Sequence, residues 1–282
     1  ILMHEPAPEL TPQRHLWLVA GTGEGPRLAA ALLKRGWRVK VSLVGASAGR
    51  AYAPHPDLEL AIGALAGELA IEAQLEAARG RAAAFTWVVD ATHPFARLIS
   101  AQLAAVCRRR GQPLLRLGRP WIGVEDGSGV AGQDITLLAD LAALANVDLA
   151  ADQLLLAIGA RQLGAARAAS NAAGHGARIL PNPSALRLAQ SAGLSDAQIA
   201  CHRPGEPGLP PLALERALCR HWGITAVLAR QSGGLTEALW RQLAGEEGLK
   251  LLLLKRPLEP NTMDVLPLEA LLEKLGSPSA RP

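Results

Sequence analysis

Aromatic residues are scarce in this chain of 282 residues, which contains two phenylalanines, one tyrosine and six tryptophans. None of them alternates with basic residues, as a surface that stacks nucleic-acid bases requires. The net charge of +4 is a mild basic excess spread along the chain. Such a charge favours a small polyanionic ligand over a nucleic-acid track. We therefore expect no nucleic-acid partner.

Cysteine is also scarce, with an odd count of three and no framework spacing. This pattern is typical of a reducing compartment and predicts a cytoplasmic location. No apolar run approaches the length of a membrane span, and Ile1 to Arg14 has no signal-peptide pattern, so we expect no membrane contact. Cys219 and His221 are metal-ligating types, but they face different sides of a predicted helix, so no metal site is predicted.

Apolar runs alternate with helical patterns along the chain, which predicts an α/β protein with mainly parallel sheets flanked by helices. The length favours two domains. A glycine-rich and acidic interval at residues 122–133 shows neither period and is predicted to be a linker. We expect one domain at 15–121, a second at 134–276, and loose tails at 1–14 and 277–282.

A glycine turn follows the first predicted strand and leads into a helix. Its residues are Gly21, Thr22, Gly23 and Glu24. Glycines let a backbone approach a pyrophosphate, and a helix N-terminus offers free N–H groups. Pro26 stands where the dinucleotide-binding fingerprint has its third glycine, so the match is imperfect. The alternative interpretation is a plain tight turn.

The second predicted strand bears on the choice of dinucleotide. An NAD site usually has an acid about 20 residues after the first glycine, and this region has none. Ser42, Ser47 and Arg50 are suited to bind a 2′-phosphate instead, which favours NADP(H). A solvated basic loop is the alternative for Arg50.

Two further strand ends carry polar groups, and strand ends are where such sheets hold ligands. Asp90, Thr92 and His93 end one strand, and Pro94 is predicted to open the next helix. A structural histidine is the alternative for His93. In the second half, Ser232, Gly233 and Gly234 form a turn after Arg230 that is predicted to hold a carboxylate or phosphate, with a helix-capping turn as the alternative.

These segments together resemble precorrin-6A reductase, the NADPH-dependent enzyme family of cobalamin biosynthesis, which includes a cobalt-precorrin-6A counterpart. The resemblance runs in order from about Leu16 to Pro257. It rests on Gly21-Thr-Gly-Glu24, Ser42-Leu-Val-Gly45, Asp90-Ala-Thr-His-Pro-Phe-Ala96, Leu114-Leu-Arg-Leu-Gly-Arg-Pro-Trp121, Ala157-Ile-Gly159 and Gln231-Ser-Gly-Gly234.

The resemblance implies two Rossmann-like domains, with NADPH on the first and the active site in the cleft between them. It implies hydride transfer to a double bond of precorrin-6A or its cobalt form, giving the dihydro precorrin-6B form. Gly21, Thr22, Gly23 and Glu24 would line the pyrophosphate and nicotinamide side. Ser42 and Arg50 would bind the 2′-phosphate, although the family often has an arginine nearer the second strand.

The same resemblance assigns the reacting face to Asp90, Thr92 and His93, with His93 or an ordered water as the proton donor. A polycarboxylate substrate calls for arginines at strand ends. The predicted substrate-binding residues are Arg116, Arg161, Arg230, Ser232, Gly233 and Gly234. We expect a monomer or a weak homo-oligomer. A nucleotide-sugar transferase and a non-catalytic NADP(H) sensor are the alternatives.

Overall fold

A computed structural model of the protein describes residues 14–81, 83–123, 134–204, 210–259 and 261–276. Its strands are β1 (His15–Ala20), β2 (Arg38–Leu43), β3 (Leu58–Ile62), β4 (Trp87–Ala91), β5 (Leu114–Leu117), β6 (Ile135–Leu138), β7 (Gln153–Leu156), β8 (Gly174–Ile179), β9 (Ile199–Cys201), β10 (Ala226–Arg230), β11 (Lys250–Leu254) and β12 (Asp264–Leu266).

The α-helices lie between these strands, as the alternating sequence pattern predicts. They are α1 (Glu24–Leu33), α2 (Ala46–Gly49), α3 (Gly67–Gly80), α4 (Arg97–Arg109), α5 (Leu163–Ala168), α6 (Pro183–Ser191), α7 (Ala213–Trp222), α8 (Leu235–Glu247) and α9 (Leu268–Gly276). Within the described ranges, no helix combines the length and the apolar character needed to cross a membrane.

The chain divides into two compact units, Ile1–Arg119 with Pro257–Pro282, and Pro120–Arg256. The sheet of the first unit has the order β3-β2-β1-β4-β5-β12, and every pair in it is parallel. All six residues of β1 are buried because helices cover both faces of the central strand. The strand order reverses between β1 and β4, which is the position where such sheets bind ligands.

The last strand of the first unit comes from the segment that follows the second unit. β12 pairs with β5, and the Gly118 N–H donates to the Leu266 carbonyl at 2.8 Å. Leu271 and Leu275 of α9 are fully buried in the core cluster that also holds Leu28. The prediction of one domain at 134–276 was therefore wrong at its end, because β12 and α9 complete the first unit.

The sheet of the second unit has the order β9-β8-β7-β10-β11-β6, again with every pair parallel. Its order reverses between β7 and β10, as the first sheet reverses between β1 and β4. Two similar α/β halves are thus confirmed. The predicted tails and linker lie outside the described residues, apart from Arg14, Ile122 and Gly123.

Tyr52, which follows α2, is buried in the first core, and its hydroxyl has no hydrogen-bond partner among the described residues. Burial raises the pKa of Tyr52 to about 12. Since it is the only tyrosine in the chain, the ultraviolet absorbance of tyrosinate reports on it alone.

We predict that Tyr52 is half ionised in the folded protein only near pH 12, whereas in the chain unfolded in guanidinium it is half ionised near pH 10. Because the pKa is raised in the folded state, this burial contributes stability below pH 10 that is lost between about pH 10 and 12. The measurement is a spectrophotometric titration of the folded and the unfolded chain. A tyrosinate signal near pH 10 in the folded protein would contradict the prediction.

Candidate functional site

The glycine turn after β1 leaves open surface in front of helix α1. Gly21 and Gly23 are exposed, and a Cβ atom at either position would meet nothing within 4 Å. Gly23 is the N-cap of α1, with φ −61° and ψ −17°, and no side chain in the described part of the chain caps the helix there. Neither the backbone conformation of Gly23 nor packing at either position requires glycine. The open space and the uncapped N–H groups are what an anionic ligand needs.

Gly25, in contrast, is required by packing. A Cβ atom there would lie 2.3 Å from the Tyr52 hydroxyl and 2.9 Å from the Ala20 Cβ. Close contact between helix and strand is the role of the third glycine in the dinucleotide fingerprint. Gly25 fills this role one residue early, and Pro26 is tolerated because the first helical turn does not use its N–H. The sequence pattern showed Gly25 but not this role.

Thr22 and Glu24 tie the glycine turn to neighbouring strands. The Thr22 hydroxyl donates to the carbonyl of Ala91, the last residue of β4, at 3.4 Å. The Glu24 carboxylate accepts a hydrogen bond from Arg119, just after β5, at 2.8 Å. These contacts hold the turn at the carboxyl edge of the sheet.

The predicted role of Ser42 is wrong. Its side chain is buried, and its Oγ accepts a hydrogen bond from Trp17 Nε1 at 2.9 Å. Residues 39–43 of β2 are all buried, so Ser42 lies within the covered sheet. Ser47 and Arg50 are exposed beyond the end of β2, and in the described part of the chain Arg50 forms no ion pair.

Asp90 and Arg116 form a buried ion pair instead of facing a ligand. The Asp90 side chain is fully buried, and Arg116 Nη1 lies 2.5 Å from Asp90 Oδ2. Arg116 also donates to Ser100 Oγ at 2.7 Å and to Glu259 at 2.5 Å. Burial opposes the charge of Arg116, but the two carboxylates outweigh it and raise the pKa of the guanidinium. The predicted catalytic role of Asp90 and substrate role of Arg116 are therefore wrong.

Thr92 is held in a turn above this ion pair. Its N–H donates to Asp90 Oδ1 at 2.9 Å, and its hydroxyl lies 3.3 Å from Ser100 Oγ. Sequence patterns do not reveal the roles of Ser100 and Glu259. Ser100 looks like any other helix residue, and Glu259 is 143 positions away from Arg116. These contacts make Thr92 a structural link between β4 and α4.

His93 forms the next part of this turn and is half-buried. Its Nδ1 accepts a hydrogen bond from the Phe95 N–H at 3.2 Å, and its carbonyl accepts one from Ala96 at 2.8 Å. The turn delays the start of α4 to Arg97, so the prediction that Pro94 opens the helix was wrong. Because Nδ1 is an acceptor, the neutral ring carries its proton on Nε2.

Arg161 and Arg230 lie close together at the carboxyl edge of the second sheet. A Cβ atom at Gly159, after β7, would lie 3.6 Å from Arg230 Nη1. Arg230 donates to Gln162 at 2.5 Å, whereas Arg161 is exposed. Burial, and after it the charge of Arg161, lowers the pKa of Arg230 to about 10. An anion placed beside these two guanidinium groups is attracted by both.

The turn after β10 does not present the N–H groups predicted for it. The Gly233 N–H donates to the Glu237 carboxylate at 2.7 Å, and that carboxylate is fully buried and paired with Arg241 at 2.8 Å. Ser232 is also buried. For Gly233 the alternative interpretation, a helix-capping turn, is correct, because its N–H already donates to the Glu237 carboxylate. Gly234 is the N-cap of α8 and is half-buried.

Comparisons with known proteins agree with one another. The family model described as "Precorrin-6x reductase CbiJ/CobK" matches residues 15–275. A cobalt-precorrin-6A reductase from Synechocystis sp. is 30% identical over 247 residues, covering 86% of this chain and 88% of that protein. A precorrin-6A reductase from Rhodobacter capsulatus is 29% identical over 95% of this chain and 98% of that one.

Among solved structures, "CobK precorrin-6A reductase" is similar to this chain. It has a TM-score of 0.72 and 26% sequence identity, and the match covers 95% of this chain and 99% of that one. The α/β fold described above is therefore shared with a solved member of that family over nearly the whole chain.

We predict that Arg116→Met lowers the free energy of unfolding of the first unit by about 3–5 kcal/mol, because it leaves the Asp90 carboxylate buried without its guanidinium. Urea denaturation measures the change. The matched control is Arg109→Met, which removes an exposed arginine paired with Glu68 and Glu72 and is expected to change stability little. Equal effects of both variants would contradict the structural role of the buried pair.

Proposed function

The chain belongs to the precorrin-6x reductase family, and we propose that it uses NADPH to reduce a double bond of precorrin-6A or cobalt-precorrin-6A. NADPH supplies a hydride when bound, and a proton adds at the neighbouring carbon, so the macrocycle gains two hydrogens as the precorrin-6B form. The membership makes the chain an oxidoreductase of cobalamin biosynthesis. NADPH as the cofactor, the precorrin-6B form as the product and the roles of individual residues belong to the proposal.

The open surface over Gly21 and Gly23 is the observation that most strongly supports this proposal. Glycine is required there neither by packing nor, at Gly23, by the backbone conformation, whereas Gly25 in the same turn is fixed by contact with Tyr52. The turn lies where the strand order reverses, and it ends at the N-terminus of α1. A pyrophosphate that approaches the backbone closely explains both glycines.

We assign the 2′-phosphate to Ser47 and Arg50. Both are exposed beyond β2, the strand whose end contacts the adenosine ribose in dinucleotide-binding sheets. No acidic residue stands on the loop from Val44 to Arg50, so a phosphate meets no repulsion from that loop. Ser47 replaces Ser42 in this role.

His93 is proposed to hold a proton at Nε2 for the reacting carbon. The hydrogen bond from Phe95 to Nδ1 fixes the ring and its tautomer. The Thr22 hydroxyl donates to the carbonyl of Ala91, which lies two residues before His93 at the end of β4. This contact links the glycine turn to the strand end that leads to His93. Thr92 and Asp90 act through this backbone and position His93.

Arg161 and Arg230 are proposed to bind substrate carboxylates. Precorrins carry acetate and propionate groups around the ring. A carboxylate placed between the two guanidinium groups offsets the burial of Arg230, which is the larger cause of its lowered pKa, and the repulsion from Arg161, which is the smaller one. The N-terminal turn of α8 at Gly234 is the remaining candidate from the predicted Ser-Gly-Gly turn. A nucleotide-sugar transferase is set aside because the family is a reductase family.

Absorbance of NADPH during incubation with precorrin-6A, and separately with cobalt-precorrin-6A, tests the function. We expect oxidation of NADPH that depends on one of these substrates. By mass spectrometry the product is expected to be about 2 Da heavier than the substrate, because it gains a hydride and a proton. Binding of NADPH without oxidation in either incubation would support the sensor interpretation instead.

We predict that Arg50→Ala raises the KM for NADPH about tenfold and leaves the KM for NADH nearly unchanged, because only NADPH carries the 2′-phosphate. Steady-state kinetics with both dinucleotides measures this. Arg35→Ala is the control, since it removes an exposed charge at the far end of α1. Equal losses for NADPH and NADH would exclude the role of Arg50.

We predict that His93→Gln lowers kcat about 100-fold, because an amide cannot deliver a proton, and leaves the KM for NADPH unchanged. A variant with unchanged kcat would make His93 a structural residue.

A further inference from the structure

Trp121 differs from the other tryptophans in its exposure. Trp17, Trp37, Trp87 and Trp240 are buried, and Trp222 is half-buried. Trp121, in contrast, is 41% exposed. Aromatic residues make up only 3% of this chain, and packing in the core does not explain an exposed indole.

Buried Arg256 holds the Trp121 ring in place. The guanidinium carbon lies 4.3 Å from the ring centroid, which is the distance of a cation–π contact. Arg256 is itself only 5% exposed and donates to the Pro120 carbonyl at 2.8 Å. Its backbone N–H and Nε donate to Gln231 at 3.2 and 3.4 Å. One face of the indole is therefore fixed against a buried cation.

This indole stands at the carboxyl edge of the second sheet. Gln231 follows the last residue of β10, and its N–H donates to the carbonyl of Leu254, the last residue of β11, at 2.9 Å. Gln231 is bonded covalently to Arg230, which lies beside Arg161. A continuous set of contacts thus connects the indole with the arginine pair at one sheet edge.

We infer that the exposed face of Trp121 is a platform on which the substrate ring packs. The inference rests on the proposed function and deepens it. A precorrin is a partly conjugated ring with carboxylates on its rim, so it needs an apolar flat surface flanked by cations. Trp121 supplies the flat surface, and Arg161 and Arg230 supply the cations.

Trp121 thereby becomes a specificity residue for the tetrapyrrole and not for the dinucleotide. Loss of aromatic stacking on a ligand ring weakens binding about tenfold or more. Phenylalanine at this position keeps an aromatic face, whereas leucine keeps only apolar volume.

Equilibrium binding of uroporphyrin, a polycarboxylate tetrapyrrole, tests the platform without turnover. By fluorescence titration we expect Trp121→Leu to weaken uroporphyrin binding about tenfold and Trp121→Phe to stay within about threefold of the unmodified chain. Trp222→Leu is the matched control, because it removes an indole near the amino ends of β7 and β8. It is expected to bind uroporphyrin normally, and thermal unfolding confirms that each variant is folded.

The kinetic arm uses precorrin-6A and NADPH. Trp121→Leu is expected to raise the KM for precorrin-6A about tenfold with an unchanged KM for NADPH. Unchanged uroporphyrin binding in Trp121→Leu, or an equal rise in both KM values, would overturn the inference. If the unmodified chain oxidises no NADPH while Trp121→Leu still weakens uroporphyrin binding, the reductase proposal fails and the platform stands.

Discussion

The buried ion pair between Asp90 and Arg116 is the constraint on which the carboxyl edge of the first unit's sheet depends. It joins the end of β4 to β5, and through Ser100 and Glu259 it reaches helix α4 and the segment that returns from the second unit. The Asp90 carboxylate also fixes the N–H of Thr92, so the turn that carries His93 rests on it. An ion pair this deeply buried adds little net stability, but it fixes one geometry because breaking it is costly.

Five strands of each sheet share one strand order, and the sixth is added from the end of the chain in the first sheet and from the start of the unit in the second. The groups at the two reversal points suit different ligands. At the reversal point of the first sheet, the turn has open glycines and an uncapped helix, which suits a diphosphate. At the same point of the second sheet stand Gly159 and the arginine pair, which suit carboxylates. The common architecture supplies the place, and the side chains at the strand ends supply the chemistry.

Sequence periodicity was sufficient for the α/β class, the parallel sheets and the glycine turn, because each depends on local patterns. Roles were mistaken where a distant partner decides them. The partner of Ser42 is 25 residues away at Trp17. Arg116 pairs with Asp90 on β4 and with Glu259 on a segment beyond the second unit. A polar residue at a strand end looks the same in sequence whether it faces a ligand or a buried charge. The end of the second unit was misplaced for the same reason, since β12 pairs with β5 across the intervening unit.

Completion of the first sheet by β12 and α9 has a consequence for synthesis. Leu271 and Leu275 fill the core beneath α1, yet the ribosome makes them only after the whole second unit. The second unit, Pro120–Arg256, is continuous in the chain and can fold as soon as it emerges. The earlier-made β1 to β5 must wait with an open strand edge and an unfilled core. We therefore expect the first unit to complete its sheet only after the second unit has been made, so that its open strand edge is exposed to aggregation for longest during synthesis.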